Sequence, residues 1–258
     1  MACTLECNIR SIVKLNKQTL DTLRVWFSAY TQTFHTDDKE IQSEVSLKEC
    51  HTIRVVEHCH NLAAWLRFNT KDIYLAEAVG LCHDIGRFKQ VTQYRTINDI
   101  ESVDHAALGV AEMIAANIPN KVESADWEIL SFAVAAHNAI VIPATTNERS
   151  LIFAKIIRDA DKLDIYRIFP PQPNSSACSP FLLNNILLKQ PIDYKDVATV
   201  DDFKLVMISW IYNINFSWTI EQIAIAGYIN VLFNSLPNSS LASQVQKQVC
   251  AYLTSAEK

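Results

Sequence analysis

Glycine is scarce in this sequence. Among its 258 residues only 4 are glycine, whereas average usage would give roughly 18. Glycine supplies the left-handed backbone positions of hairpins and of phosphate-cradling loops, so its shortage argues against Rossmann, P-loop and β-sandwich folds. The sequence instead favours long helices joined by few tight turns, and its length is ample for a hydrophobic core.

The sequence also lacks blocks of like charge and long hydrophobic runs. Its 23 basic and 28 acidic side chains give a net charge of -5. We therefore expect neither a nonspecific nucleic-acid surface nor a polybasic membrane anchor. No apolar run approaches the ~18 residues of a transmembrane helix, and the first residues lack the apolar core of a signal peptide. The 7 cysteines form no Cys-x-x-Cys pair, which is typical of reduced thiols in a cytoplasmic protein.

Apolar residues recur at spacings of three and four along most of the chain, which predicts an all-α fold. Prolines and polar residues concentrate in residues 169–180, the clearest predicted loop. We expect one helical domain over residues 1–258, in which this loop leads to a C-terminal helical layer over residues 181–258. The predicted helices cover residues 9–30, 47–68, 72–86, 102–118, 124–138, 148–168, 181–189, 201–217, 219–235 and 239–255.

Histidines and carboxylates interrupt the apolar faces of these predicted helices. Residues 75–82 are apolar on nearly every side, which indicates a central helix that ends in His83-Asp84, with Gly86 at its exit. A buried histidine beside a buried carboxylate needs hydrogen-bond partners or a metal ion. Similar positions at the ends or inner faces of four other predicted helices are occupied by His51, His105, His137 and Asp161.

Each of these residues alone has an ordinary structural explanation, such as a helix cap or a surface histidine. The residues around His105 and around Asp161 instead indicate a binding site. Gly109 follows His105 by one helical turn, and its missing side chain is expected to leave room for a ligand or an ion. Asp161 lies between Ile157 and Ile165 on a face that looks buried, where an unpaired carboxylate is costly and a metal ion removes that cost.

The order of these six residues resembles that of the HD-domain superfamily of metal-dependent phosphohydrolases. Four strings carry the resemblance: H-x-x-R-V from His51, HDIGRF from His83, DHAALG around His105, and RDADKLD around Asp161. The resemblance covers about residues 46–168 and implies an HD-like helical bundle there, with the C-terminal helices as an addition.

The resemblance also implies a ligand set for one or two divalent ions. It matches His51, His83, Asp84 and Asp161 to a four-ligand site, with Asp84 as a bridge to a second ion and an acceptor for a proton. His105 and His137 match the extra histidines of binuclear members. Manganese, iron, magnesium and zinc all suit such mixed ligands. Three neighbouring residues compete for these roles: His58 with His51 as the first ligand, and Asp159 and Asp164 with Asp161, which the A-D-K-L string favours.

The activity implied is hydrolysis of a phosphomonoester or phosphodiester by metal-activated water, on a small, nucleotide-like phosphorylated substrate. Beside Asp84, Arg87 is the foremost candidate for a catalytic contact, because a guanidinium suits bidentate binding of phosphate. Weaker candidates for substrate binding are Lys48, Arg54, Lys155 and Arg158. Three features argue against cyclic-di-GMP as the substrate: the string HDIGR, Asn138 after His137, and the lack of a GYP string.

Two other functions stay open at this point. Diiron oxygenases of the same superfamily share the six-ligand pattern, so the ligands alone do not separate hydrolysis from oxygen activation. A non-catalytic sensor or scaffold with the same fold is the second alternative, although such proteins usually lose a ligand and none is missing here.

Overall fold

The computed structural model describes residues 15–169 and 178–256, and these segments are helical without any β-strand. The prediction of an all-α fold is therefore confirmed. Among the described helices, none combines the length and apolar character needed to cross a membrane. The helices are α1 Lys17–Gln32, α2 Lys39–Trp65, α3 Thr70–Cys82, α4 Ile85–Tyr94, α5 His105–Ala115, α6 Ser124–Ala136, α7 Glu148–Ile168, α8 Pro180–Leu187, α9 Val200–Ser209, α10 Ser217–Ala226, α11 Tyr228–Asn234 and α12 Ser240–Ala256.

The segment after His83 differs from the prediction. Helix α3 already ends at Cys82, and the unpredicted helix α4 starts at Ile85, so Gly86 lies in the first turn of α4 rather than at a helix exit. Helix α4 ends at Tyr94, and the loop after it begins at Arg95, whose backbone is left-handed.

The C-terminal helices are also shorter than predicted. Helix α9 ends at Ser209 and continues as a 3₁₀ turn, while Gly227, at a φ of 70°, separates α10 from α11. Of the predicted proline-rich loop, residues 170–177 lie outside the described part of the chain.

Several helices begin at a residue whose side chain accepts a hydrogen bond from the backbone of the first turn. Such caps satisfy amide groups that have no partner inside the helix. The capping residues of α1, α2, α3, α5, α7 and α9 are Asn16, Asp38, Asn69, Asp104, Asn147 and Thr199.

Helix α3 is the centre of the first hydrophobic core. All eight residues from Leu75 to Cys82 are buried, and α1, α2, α6 and α7 pack around them. The helix can be surrounded in this way because its sequence is apolar on nearly every side. The prediction of a central helix before His83 is thus confirmed, and this core fixes the position of the His83-Asp84 turn.

Helix α4 approaches α5 closely at two glycines. A Cβ added to Gly86 would clash with the backbone of α5, at the carbonyl oxygen of His105 and 2.7 Å from the amide nitrogen of Gly109. A Cβ added to Gly109 would lie 3.1 Å from Cγ2 of Ile85. The room expected beside Gly109 for a ligand or an ion is therefore filled by α4, and that prediction is wrong.

Helix α7 belongs to two hydrophobic cores. Its first half, from Phe153 to Ala160, packs into the core around α3, whereas Leu163 and Tyr166 pack into a second core formed by the helices from α8 onward. Buried Asp159 joins the two parts, because its carboxylate accepts hydrogen bonds from the backbone amides of Asn215 and Phe216, each at 3.0 Å. That the whole chain is one domain stays a prediction, which this shared helix supports.

We predict that Gly86→Ala destabilises the fold by about 3 kcal/mol, the upper range for overpacking, because the clash is with backbone that cannot rotate away. Urea denaturation followed by circular dichroism would measure the loss. Gly227→Ala is the control, since an added Cβ there meets nothing within 4 Å and only the left-handed backbone disfavours it, by about 1 kcal/mol. Equal losses in the two variants would contradict the close-approach explanation.

Candidate metal centre

Six helices, α2 to α7, bring the six predicted ligands to one place. His51 lies in the middle of α2, His83 and Asp84 form the turn between α3 and α4, His105 opens α5, His137 follows the last residue of α6, and Asp161 lies in α7. The four histidines and Asp84 are buried.

The first group consists of His51, His83 and Asp161, whose ligand atoms all lie within 4.8 Å of one another. The Nε2 atoms of His51 and His83 are 3.3 Å apart. Oδ1 of Asp161 lies 3.1 Å from Nε2 of His51 and 3.7 Å from Nε2 of His83. This group therefore offers two imidazole nitrogens and one carboxylate oxygen around a common point.

The second group consists of Asp84, His105 and His137. The Nε2 atoms of its two histidines are 3.0 Å apart, and Oδ1 of Asp84 lies 3.4 Å from one and 3.6 Å from the other. The second oxygen of Asp84, Oδ2, faces the first group, at 3.7 Å from His51 and 3.6 Å from His83. One carboxylate thus stands between the two groups with an oxygen toward each.

The other ring nitrogen of each histidine is already bound. Nδ1 of His83 donates to the carbonyl oxygen of Gly80 at 2.8 Å, and Nδ1 of His137 donates to that of Val134 at 2.7 Å. Each ring therefore presents Nε2 in its neutral form as a bare lone pair directed at the centre.

The two remaining histidines bind carboxylates through Nδ1. His51 contacts Asp164 at 2.7 Å, and His105 contacts Asp99 at 2.6 Å. The Nε2 lone pairs of the four rings then face one another and the carboxylates of Asp84 and Asp161. Only protons or cations make this arrangement favourable. Two ligands that each lie ~2.1 Å from one ion are roughly 3.0–3.4 Å apart, as these nitrogen pairs are. The donor set fits divalent metal ions.

The charge states of these groups agree with metal binding. Burial alone would raise the pKa of Asp84, but Lys48 and the nearby histidines hold it well below its usual range. Burial lowers the pKa of His105 to about 4 against the pull of Asp99, so its lone pair is free at neutral pH. At His51 burial also opposes the charged ring, yet Asp161 and Asp164 raise its pKa to about 9. The carboxylates around His51 therefore favour a positive charge at this point.

Sequence reasoning missed two residues that support the ligands. Asp164 was considered only as a rival of Asp161, whereas the structure places it behind His51, where it also accepts two hydrogen bonds from Arg54 at 2.6 and 2.9 Å. Asp99 lies in the loop before α5 and was not considered. It lies outside the four sequence strings and gave no signal, because only the folded loop brings it to His105.

Two predicted substrate-binding cations lie at the centre. Nζ of Lys48 is 2.7 Å from Oδ2 of Asp84. Nη1 of Arg87 is held by Gln90 at 2.7 Å and by Asp99 at 2.8 Å. Its Nε lies 3.7 Å from Oδ1 of Asp84 and, although buried, has no hydrogen-bond partner within the described segments. One edge of this guanidinium is therefore fixed, and Nε faces the centre.

The other predicted cations have different surroundings. The guanidinium of Arg54 is committed to Asp164 behind the ligands, and that of Arg158 binds the carbonyl oxygens of Ala136, His137, Ala139 and Ile140 just past α6. These internal contacts do not favour direct substrate binding by Arg54 or Arg158, which stays a prediction. Arg158 instead satisfies the end of the helix that presents His137.

Two further candidates lie outside the ligand groups. Lys155 is half-buried on α7, six residues before Asp161, which places it about 120° around the helix from that ligand. His58 is half-buried on α2 and belongs to neither group. The structure therefore places His51, and not His58, among the ligand atoms.

We predict that Asp164→Ala lowers the affinity for a divalent ion by about 10–100-fold, because His51 loses the partner that orients its ring. Competition with a chromophoric chelator would measure the affinity. Asp164→Asn, which keeps an acceptor oxygen, is expected to lose less. The exposed Asp37→Ala controls for charge, and the same loss in both alanine variants would contradict an orienting role.

Comparison with known families agrees with this geometry. Residues 49–166 match the model of the family described as HD domain, within the range of 46–168 expected from the sequence. No curated protein and no solved structure gives a significant match. All six ligand candidates lie inside the matched segment, and the fold there is all-α, as in that family. Residues 49–166 therefore match the HD-domain family in sequence and share its all-α fold.

Proposed function

We propose that this protein is a metal-dependent phosphohydrolase that cleaves a phosphomonoester or phosphodiester of a small, nucleotide-like substrate. The observation that carries the proposal is the position of Asp84 between two histidine groups, with Lys48 and Arg87 beside it. The HD-domain family, which consists largely of metal-dependent phosphohydrolases, supports the same class of activity.

The ligands divide between two ions. His51, His83 and Asp161 would hold one, while His105 and His137 would hold the other, and Asp84 would be shared. Divalent ions bound there would supply Lewis acidity and a water acidic enough to lose its proton near neutral pH. Because the pKa of Asp84 is held low, its carboxylate suits a shared ligand better than a proton acceptor.

The two cations would bind and orient the phosphate. Nε of Arg87 faces the centre without a partner, while Gln90 and Asp99 hold the opposite side of the guanidinium. Hydrogen bonds from such a fixed fork suit the oxygens of a phosphoryl group. Lys48 adds a point charge on the other side of Asp84, so an anionic substrate would be stabilised from two directions.

These cations favour hydrolysis of phosphate esters over the oxygenase alternative. A phosphoryl oxygen would give the buried guanidinium Nε of Arg87 a charge-assisted hydrogen bond, which is stronger than a hydrogen bond to a neutral acceptor. Purification with two irons, together with failure to release phosphate from any ester, would support the oxygenase instead.

We predict that His83→Ala and Asp161→Asn abolish metal-dependent release of phosphate while the helical fold is retained. His83→Ala removes one ligand atom of the first group, and Asp161→Asn removes the negative charge of its carboxylate ligand. Phosphate release from nucleotides, cyclic dinucleotides and sugar phosphates would be measured together with metal content. His35→Ala is the matched control, because His35 lies on the surface and pairs with Glu49. A folded, metal-loaded wild type that cleaves none of these compounds would refute the proposal.

We predict that Arg87→Lys raises the KM for a phosphate ester by about tenfold with a smaller effect on kcat, because lysine keeps the charge but loses the planar fork. Steady-state kinetics at constant ionic strength would separate the two constants. Arg149→Lys provides the control, since Arg149 pairs with Asp72 on the surface. An unchanged KM in Arg87→Lys would show that Arg87 does not contact the phosphate.

A further inference from the structure

The carboxylate of Asp99 lies between two parts of the site. It belongs to the loop that joins α4 to α5 and is only 28% exposed. Its two oxygens are each contacted by two side chains, and these come from α4, from the start of α5 and from the end of α6. Since an ionised carboxylate accepts about four hydrogen bonds, these contacts use its whole capacity. Asp99 is therefore built into the site.

One oxygen, Oδ1, faces the cation that is proposed to bind phosphate. It accepts hydrogen bonds from Nη1 of Arg87 at 2.8 Å and from Nε2 of Gln90 at 2.9 Å. Gln90 is fully buried, and its Oε1 accepts from the same Nη1 at 2.7 Å. These bonds fix one edge of the guanidinium and leave its Nε on the side of Asp84, at 3.7 Å from Oδ1 of that residue.

The other oxygen of Asp99, Oδ2, faces the second ligand group. It lies 2.6 Å from Nδ1 of His105 and accepts from Nδ2 of Asn138 at 3.2 Å. Asn138 directly follows the ligand at the end of α6 and also donates to the capping residue of α5, Asp104, at 3.0 Å. A carboxylate at Nδ1 fixes the ring of a metal-binding histidine and leaves Nε2 for the ion.

The first ligand group has separate supports. Asp164 and Arg54 stand behind His51, and the carbonyl oxygen of Gly80 orients His83. Asp99 takes part in none of these contacts. A change at Asp99 therefore acts on the second group and on the phosphate-binding cation, while the first group keeps its own supports.

We propose that Asp99 is a positioning residue that joins the second ion to the phosphate-binding guanidinium, with one carboxylate oxygen for each. Because the carboxylate is rigid, ordering His105 on an ion also orders Arg87, and the two binding events become coupled. Loss of Asp99 weakens both. The inference rests on the proposed function, since it takes phosphate as the ligand of Arg87, and it deepens that function by assigning a role to the loop after α4.

Binding of ions tests the link to the second group. We predict that Asp99→Ala weakens binding of the second Mn²⁺ by about 10–100-fold and leaves the first within about twofold, because only His105 loses its partner. Competition with a chromophoric chelator would measure both constants. Asn138→Ala removes one of the two contacts at Oδ2, so a smaller loss is expected. Equal losses for the two ions, or no loss for either, would overturn the assignment.

Binding of inorganic phosphate tests the link to Arg87. With both ion sites saturated by Mn²⁺, we predict that Asp99→Ala raises the dissociation constant of phosphate by about tenfold, as equilibrium dialysis would measure. In an Arg87→Ala background the same change is expected to have an effect below about twofold, since Asp99 acts on phosphate through Arg87. A tenfold rise in both backgrounds, or in neither, would refute this link.

Ser102→Ala is the matched structural control. Ser102 lies in the same loop, where its hydroxyl accepts from Gln90 at 2.8 Å and donates to the carbonyl oxygen of Asn98 at 2.7 Å. The variant thus loosens the loop and leaves the carboxylate of Asp99 in place, so we expect binding of both ions and of phosphate to change by less than about twofold. Losses as large as those of Asp99→Ala would make loosening of the loop the cause and overturn the proposal.

These measurements separate the inference from the proposed function, because none of them requires turnover. If the wild type cleaves no ester but Asp99→Ala weakens the second ion and phosphate as predicted, the proposed function fails and the role of Asp99 stands. If the wild type cleaves an ester and Asp99→Ala binds both ions and phosphate as the wild type does, the proposed function stands and the role of Asp99 is wrong.

Discussion

The carboxylate of Asp84 is the point on which the rest of the site depends. It is buried and ionised between four imidazoles, with one oxygen toward each pair of rings. A charge in that position is costly unless cations surround it. Lys48 and Arg87 supply part of this positive charge. The lone pairs of the histidines would bind metal ions that supply the rest. The same requirement explains why Lys48 and Arg87 lie beside Asp84 in a chain whose net charge is negative.

The helices around Asp84 hold the rings in place from behind. Two histidines near helix ends donate Nδ1 to carbonyl oxygens three residues earlier in the chain, a local device that fixes ring direction without any other side chain. The other two rely on carboxylates from distant segments, and Asp164 is in turn fixed by Arg54. Since the ligands lie on or at the ends of six different helices, their geometry depends on packing. The contact of α4 with α5 at Gly86 is one place where that packing leaves no space for a side chain.

The parts of the site that could be predicted from the sequence are those encoded by short strings and by apolar periodicity. Residues 75–82 predicted a central helix because a segment without a polar face has no place at a surface, and the histidines were conspicuous because they interrupt such faces. The start of α4 was missed because Gly86 was taken as a helix end, whereas it permits the close approach of α5. The separation of Arg54 and Arg158 from the substrate side could not be predicted, since their partners are carboxylates and carbonyls from other segments.

The same comparison explains why cations of equal charge differ in function. A guanidinium that donates to several groups of the protein adds rigidity to the fold, as Arg158 does at the end of α6. Arg87 uses one nitrogen for support and keeps another buried without a partner. An unsatisfied buried donor is retained at a cost in stability, so its place next to Asp84 is better explained by a bound anion than by the fold.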